Sequence, residues 1–157
     1  MNLRAAEEAF FTAQEMEKRA IRLYERALML FGQQTDMQAE LSGILREERE
    51  HLRRFEQLGG EFFPSQEERA LLSARAADAL FTGGLVEAQR LGAFDSPRGL
   101  IAYAAGEEES AQAFYEGMGN ALKDAGEHAA ADALLQIARE ESVHLCALNA
   151  RLQHLDA

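Results

Sequence analysis

The sequence predicts an all-α protein built as a four-helix bundle, and three observations predict it. Apolar residues recur at three- and four-residue steps along four long stretches of the 157-residue chain. The stretches are parted by two tight turns and one long connection, so they read as two antiparallel helical hairpins joined by a crossover. The second hairpin also repeats the first, residue type for residue type, at the positions that carry chemistry.

The first stretch runs from about Leu3 to Phe31 and stops at Gly32-Gln33-Gln34-Thr35-Asp36. Thr35 or Asp36 is expected to cap the second, which continues to Leu58 and ends at Gly59-Gly60. Ser96-Pro97 opens the third, a cap residue followed by proline at the first helical position, and it reaches about Ala125. The fourth starts near Gly126-Glu127 and ends by Leu155. Residues 59–96 form the crossover, where Ser65 and Glu68 have capping-box spacing and place at least one short helix. A helix of ~25 residues is about 38 Å long, and this connection is long enough to cross the whole bundle, giving an up-down, down-up order. The entire chain, 1–157, reads as one domain.

The composition narrows the function. A net charge of -11 argues against nucleic acid and anionic membranes, which select basic faces, and suits metal cations. The lone Cys146 excludes an internal disulfide and any cage of four thiolates. No run approaches the roughly 18 apolar residues of a membrane span. The acids within residues 1–16 make that segment a helix rather than a secretion signal. A cytoplasmic location is expected.

The repeat carries the chemistry. Ala13, Glu17, Ala20, Tyr24 and Glu25 recur as Ala104, Glu108, Ala111, Tyr115 and Glu116. Arg46, Glu47, Glu48, His51 and Leu52 recur as Arg139, Glu140, Glu141, His144 and Leu145. Counted from the turn centre near Gln34, Glu17 lies 17 residues before and His51 17 after; around Gly126, Glu108 and His144 lie 18 residues to either side. Antiparallel helices of equal rise therefore bring a Glu, a Glu and a His to one depth in each hairpin. Glu48 and His51 share a helix face with Ile44 and Phe55; Glu141 and His144 share one with Ile137 and Leu148. Four ionised carboxylates on one core are untenable alone, whereas two divalent cations cancel four charges and the histidines complete the coordination. The candidate metal ligands are Glu17, Glu48, His51, Glu108, Glu141 and His144, the two-Glu plus two Glu-x-x-His arrangement of carboxylate-bridged bundles.

At these residues the chain resembles the rubrerythrin branch of the ferritin-like superfamily, outside the crossover. Glu48-Arg49-Glu50-His51 and Ala104-Ala105-Gly106-Glu107 carry the likeness. The resemblance implies a site of two iron ions (manganese or zinc being alternatives) that reduces hydrogen peroxide or dioxygen. Glu17 and Glu108 would then be terminal ligands, Glu48 and Glu141 bridges, and His51 and His144 the caps of one iron each. It also implies a homodimer. Ferroxidase activity serving iron handling, a di-iron hydroxylase and a di-manganese catalase are the alternatives. The register selects Glu108 as the third-helix ligand; the Ala-Ala-Gly-Glu echo would select Glu107. The chain departs from rubrerythrins at Ser110 and Ala111, where a further glutamate is usual, and in lacking the four cysteines of a rubredoxin-like iron centre. Electrons must then come from an external rubredoxin- or flavoprotein-like donor.

Among the remaining residues, Tyr24 and Tyr115 are expected to hydrogen-bond ligand carboxylates. Glu47 and Glu140, each immediately before a Glu-x-x-His, read first as solvated surface acids, with a role as acceptors behind the ligands the alternative, and His128 and His154 read as exposed. Phe10, Met29, Phe31, Phe55 and Met118 read as core fillers, Cys146 as a small packed hydrophobe, and Phe62-Phe63 as a pin for the crossover.

Overall fold

The computed structural model describes residues 3–60, 62–80 and 82–156. Helix α1 spans Leu3–Phe31 and α2 spans Thr35–Gly59. At the turn between them the Gln34 backbone is extended and its carbonyl accepts from the Gln38 N–H at 2.8 Å. Gln34 thus takes the cap position expected for Thr35 or Asp36, without a side-chain bond; Thr35 is already helical. Asp36 lies in the first turn, where a negative charge meets the positive helix end.

The crossover holds α3, Gln66–Ala79, and α4, Gly84–Arg90. The Ser65 hydroxyl caps α3 by accepting from the Glu68 N–H at 3.2 Å, as the spacing predicts. Leu72, Ala76 and Leu80, one per turn, are buried and seat α3 against α1 and α5. They, with buried Pro64 and half-buried Phe62, pin the crossover; Phe63 is 82% exposed and does not.

The second hairpin comprises α5, Pro97–Asp124, and α6, His128–Asp156. Ser96 caps α5 from the Gly99 N–H at 3.0 Å, with Pro97 at the first helical position. Gly126, at φ 84°, makes the left-handed turn that ends the hairpin's first arm, and the Glu127 N–H closes it onto the Leu122 carbonyl at 2.8 Å. Gly119 lets α5 and α6 approach closely, since a Cβ there would lie 2.8 Å from the Leu135 side chain.

Cross-helix bonds fix the directions. Glu40, Glu47 and Arg54 climb α2 while their partners Arg151, His144 and Glu140 descend α6, so these helices are antiparallel. Tyr24 bonds Glu108 while Tyr115 bonds Glu17, a reciprocity that only antiparallel α1 and α5 satisfy. With α2 antiparallel to α1 as well, the end of α2 and the start of α5 lie at opposite ends of the bundle, and the crossover travels its length. The described residues are all-helical, and none of their helices is long and apolar enough to cross a membrane.

The core contains Met16, Leu23, Leu41, Phe55, Leu100, Ile101, Leu134, Ile137 and Leu148, all fully buried. Two expected fillers are absent from it. Met29 is 75% exposed, and Cys146 is exposed. Each stands two residues, about 200° of helix rotation, beyond a buried residue, Ala27 and His144 respectively.

Candidate metal centre

Ala13 and Ala20 stand one turn to either side of Glu17, and Ala104 and Ala111 do the same for Glu108. These small, buried side chains leave space in which the longer carboxylates converge. Glu17, Glu48, His51, Glu108, Glu141 and His144 are all at most 4% exposed. The six predicted positions thus meet at one point of the core. Of the three consecutive acids of α5, Glu108 faces inward, Glu107 is half-buried and Glu109 is exposed.

Two overlapping groups form. Glu17, Glu48, His51 and Glu141 offer ligand atoms within 4.8 Å of one another, and so do Glu48, Glu108, Glu141 and His144. Glu48 and Glu141 belong to both. His51 Nδ1 lies 2.8 Å from Glu141 Oε1, and His144 Nδ1 lies 2.8 Å from Glu48 Oε1, so each histidine reaches the shared carboxylate of the opposite hairpin. The terminal carboxylates follow the same symmetry: His51 to Glu17 is 3.6 Å and His144 to Glu108 is 3.8 Å. The imidazoles stack at 5.8 Å between centroids.

The tyrosines complete the pattern by crossing between hairpins. The Tyr24 hydroxyl donates to Glu108 Oε1 at 2.5 Å and the Tyr115 hydroxyl to Glu17 Oε1 at 2.8 Å. Both are fully buried, and burial, then the nearby carboxylates, raises both phenols well above their ordinary range, so they remain protonated donors. The expectation of tyrosine-carboxylate bonds holds. Glu47 and Glu140 do more than the surface role expected of them. Glu47 Oε2 is 2.5 Å from His144 Nε2, and Glu140 Oε1 is 3.7 Å from His51 Nε2. The alternative role is the one the repeat itself signals, since it gives each Glu-x-x-His a glutamate immediately before it.

The electrostatics describe a site short of positive charge. Burial, then Glu141 and Glu17, raises Glu48 well above the usual carboxylate range. Burial and Glu141 lift Glu108 to about 8 against the opposing pull of His144. Burial would lower His51, but Glu141 and Glu17 override it and push the imidazole up to about 10; His144 is raised in the same way by Glu108, Glu141 and Glu48. Glu141 is lowered: burial opposes ionisation, but the close approach of Glu108 and both histidines prevails. Without a cation the cluster therefore retains protons that carboxylates and imidazoles ordinarily release.

The donor set fits two metal ions. Glu17 Oε2, Glu48 Oε1, both oxygens of Glu141, both nitrogens of His51 and His144 Nδ1 are buried without a hydrogen bond of good geometry. Seven orphaned donor and acceptor atoms in one place would be costly for a core with nothing between them. One ligand atom from each residue of either group lies within 4.8 Å of the others, which is close enough for the group to share an ion.

A cavity of about 10 Å³ adjoins the carboxylates, space for roughly one water molecule. Met16, Ala20, Ala111 and Tyr115 line it, with Glu107 and with Leu80 of the crossover.

Fold and cluster together define a helical bundle with a buried, carboxylate-rich candidate metal centre. No protein-family model, curated protein or solved structure matches the chain.

Proposed function

We propose that the cluster holds two iron ions and that the protein is a redox enzyme of rubrerythrin type, a ferritin-like bundle that reduces hydrogen peroxide or dioxygen. The observation that carries this reading is that Glu48 and Glu141 each belong to both ligand groups. That arrangement suits carboxylates that bridge a pair of ions. Glu17 and His51 then hold one ion, and Glu108 and His144 the other. Two ferrous ions held there would supply the two electrons that, together with two protons, convert hydrogen peroxide to two molecules of water.

The protein residues orient and protect this centre. Tyr24 and Tyr115 hold the terminal carboxylates through single hydroxyl bonds, which fixes one oxygen and leaves the other for metal. Leu80, Met16 and Ala111 place apolar side chains around the small cavity beside the carboxylates. Re-reduction falls to an external donor, because the chain's single cysteine cannot build a four-thiolate electron relay.

Ferroxidase activity is favoured by one observation. Ala111 lines the cavity and Ser110 is exposed, and neither can act as an additional ligand. Metal analysis of protein loaded with ferrous iron should give close to two ions per chain, both lost in Glu141→Ala. Full occupancy in that variant would refute bridging. In anaerobic stopped-flow, about one equivalent of hydrogen peroxide should oxidise the diferrous protein faster than dioxygen does. The reverse order would replace the peroxidase reading with ferroxidase chemistry.

A further inference from the structure

The two halves of the site match closely except behind the histidines. His144 Nε2 and Glu47 Oε2 are 2.5 Å apart, whereas His51 Nε2 and Glu140 Oε1 are 3.7 Å apart. The cause lies on the next turn. Arg54 Nη2 donates to Glu140 Oε2 at 2.7 Å, and Gln136 Nε2 adds a longer bond at 3.5 Å. Neither has a counterpart in the other half: the repeat sets Ala147 where Arg54 would recur, and Gly43 where Gln136 would. Glu47 is therefore available to His144, while Glu140 is held away from His51.

We infer that Arg54 makes the two metal positions unequal, so that the position capped by His144 binds tightly and that capped by His51 binds weakly and exchanges. The inference rests on the metal reading above. A histidine that coordinates through Nδ1 is made a better ligand when its Nε2–H donates to a carboxylate, because negative charge is passed into the ring and its orientation is fixed. His144 has that partner within hydrogen-bond distance. His51 does not, because the guanidinium competes for the same carboxylate. Arg54 is thus a positioning residue acting through Glu140. It touches no candidate ligand carboxylate, and at 31% side-chain exposure it is not part of the packed core.

Cobalt(II) titration of the metal-free protein, read by its optical spectrum and by competition with a chromophoric chelator, tests this without reference to turnover. The native protein should bind in two steps separated by about tenfold or more, the range that outer carboxylate partners confer. Arg54→Met should tighten the weaker step alone and draw the two together, and Arg54→Lys should lie between. Glu47→Gln should weaken the tighter step by about 10–100-fold, whereas Glu140→Gln should change little. Circular dichroism confirms that each variant is folded. Two equal steps in the native protein, or unequal steps that neither Arg54→Met nor Glu47→Gln moves, would overturn the inference while leaving the metal site intact. Failure to bind cobalt at all would overturn the metal reading beneath it.

Discussion

Glu107, Glu108 and Glu109 are chemically identical, and only their rotation about α5 separates them. Each step turns the side chain by about 100°, so one acid enters the cluster, its predecessor reaches the cavity edge and its successor faces solvent. Glu108→Ala should therefore reduce metal binding severely, while Glu107→Ala and Glu109→Ala leave stoichiometry unchanged; metal analysis of the three variants gives the ranking. Tyr24→Phe and Tyr115→Phe remove one hydroxyl bond each from a terminal carboxylate. A loss of about 10–100-fold in metal affinity is expected for either, measured by chelator competition. The six clustered residues were readable in the sequence because helical period and turn position together fix both face and depth. The partners of those residues were less so. That Tyr24 serves Glu108 rather than its own hairpin's Glu17 depends on how the hairpins face each other, which no period encodes. Met29 and Cys146 face solvent for a simpler reason: apolar though they are, both lie about 200° past a buried neighbour.

At the scale of elements, the crossover is the piece whose role the sequence left open. The capping box at Ser65 announced α3, and the glycine and proline breaks bounded it. Its docking on α1 and α5 follows from Leu72 and Ala76, with Leu80 just past its end, in a segment otherwise too polar to reveal an obvious face. The last of the three matters most, because Leu80 lines the cavity beside the carboxylates. Leu80→Ala should cost about 2–5 kcal/mol of stability as a buried large-to-small change. It should also open the site, so that a chelator strips metal several-fold faster than from the native protein. A variant destabilised to that degree but stripped at the native rate would mean that metal leaves by another path. The hairpins behaved more simply. Their helices end within a few residues of the expected bounds because Gly32, Gly59-Gly60, Ser96-Pro97 and Gly126 act locally, through backbone geometry and caps rather than packing. The cap of α2 is the exception, since Gln34 takes it through its backbone alone.

For the whole molecule the governing quantity is charge. The chain carries -11, and its bundle gathers four carboxylates into a volume from which water is excluded. Protons or metal ions must balance them, and these two solutions depend oppositely on pH. In the metal-free protein Glu108 is lifted from 4.5 to about 8 and His51 from 6.5 to about 10, so the folded state binds both protons more tightly than the unfolded chain does. The sign follows directly: where the folded state holds more protons, stability falls as pH rises. The His51 contribution is complete below 6.5 and disappears as pH climbs to about 10, and the cost of ionising buried Glu108 accrues from 4.5 to about 8. Glu48 and His144 are raised too and act in the same direction. Glu141, lowered, acts oppositely, but only below its ordinary value of 4.5. A metal ion requires the same groups deprotonated, so its affinity rises through the window in which the metal-free fold weakens. Thermal midpoints of loaded and stripped protein, measured from pH 9 down to about 6, should therefore converge: the stripped form gains stability as protons return, and the loaded form loses its advantage. A separation of midpoints that stays constant across that range would mean that protons and metal do not compete for these side chains, and the buried Glu/His cluster would not be where the metal binds.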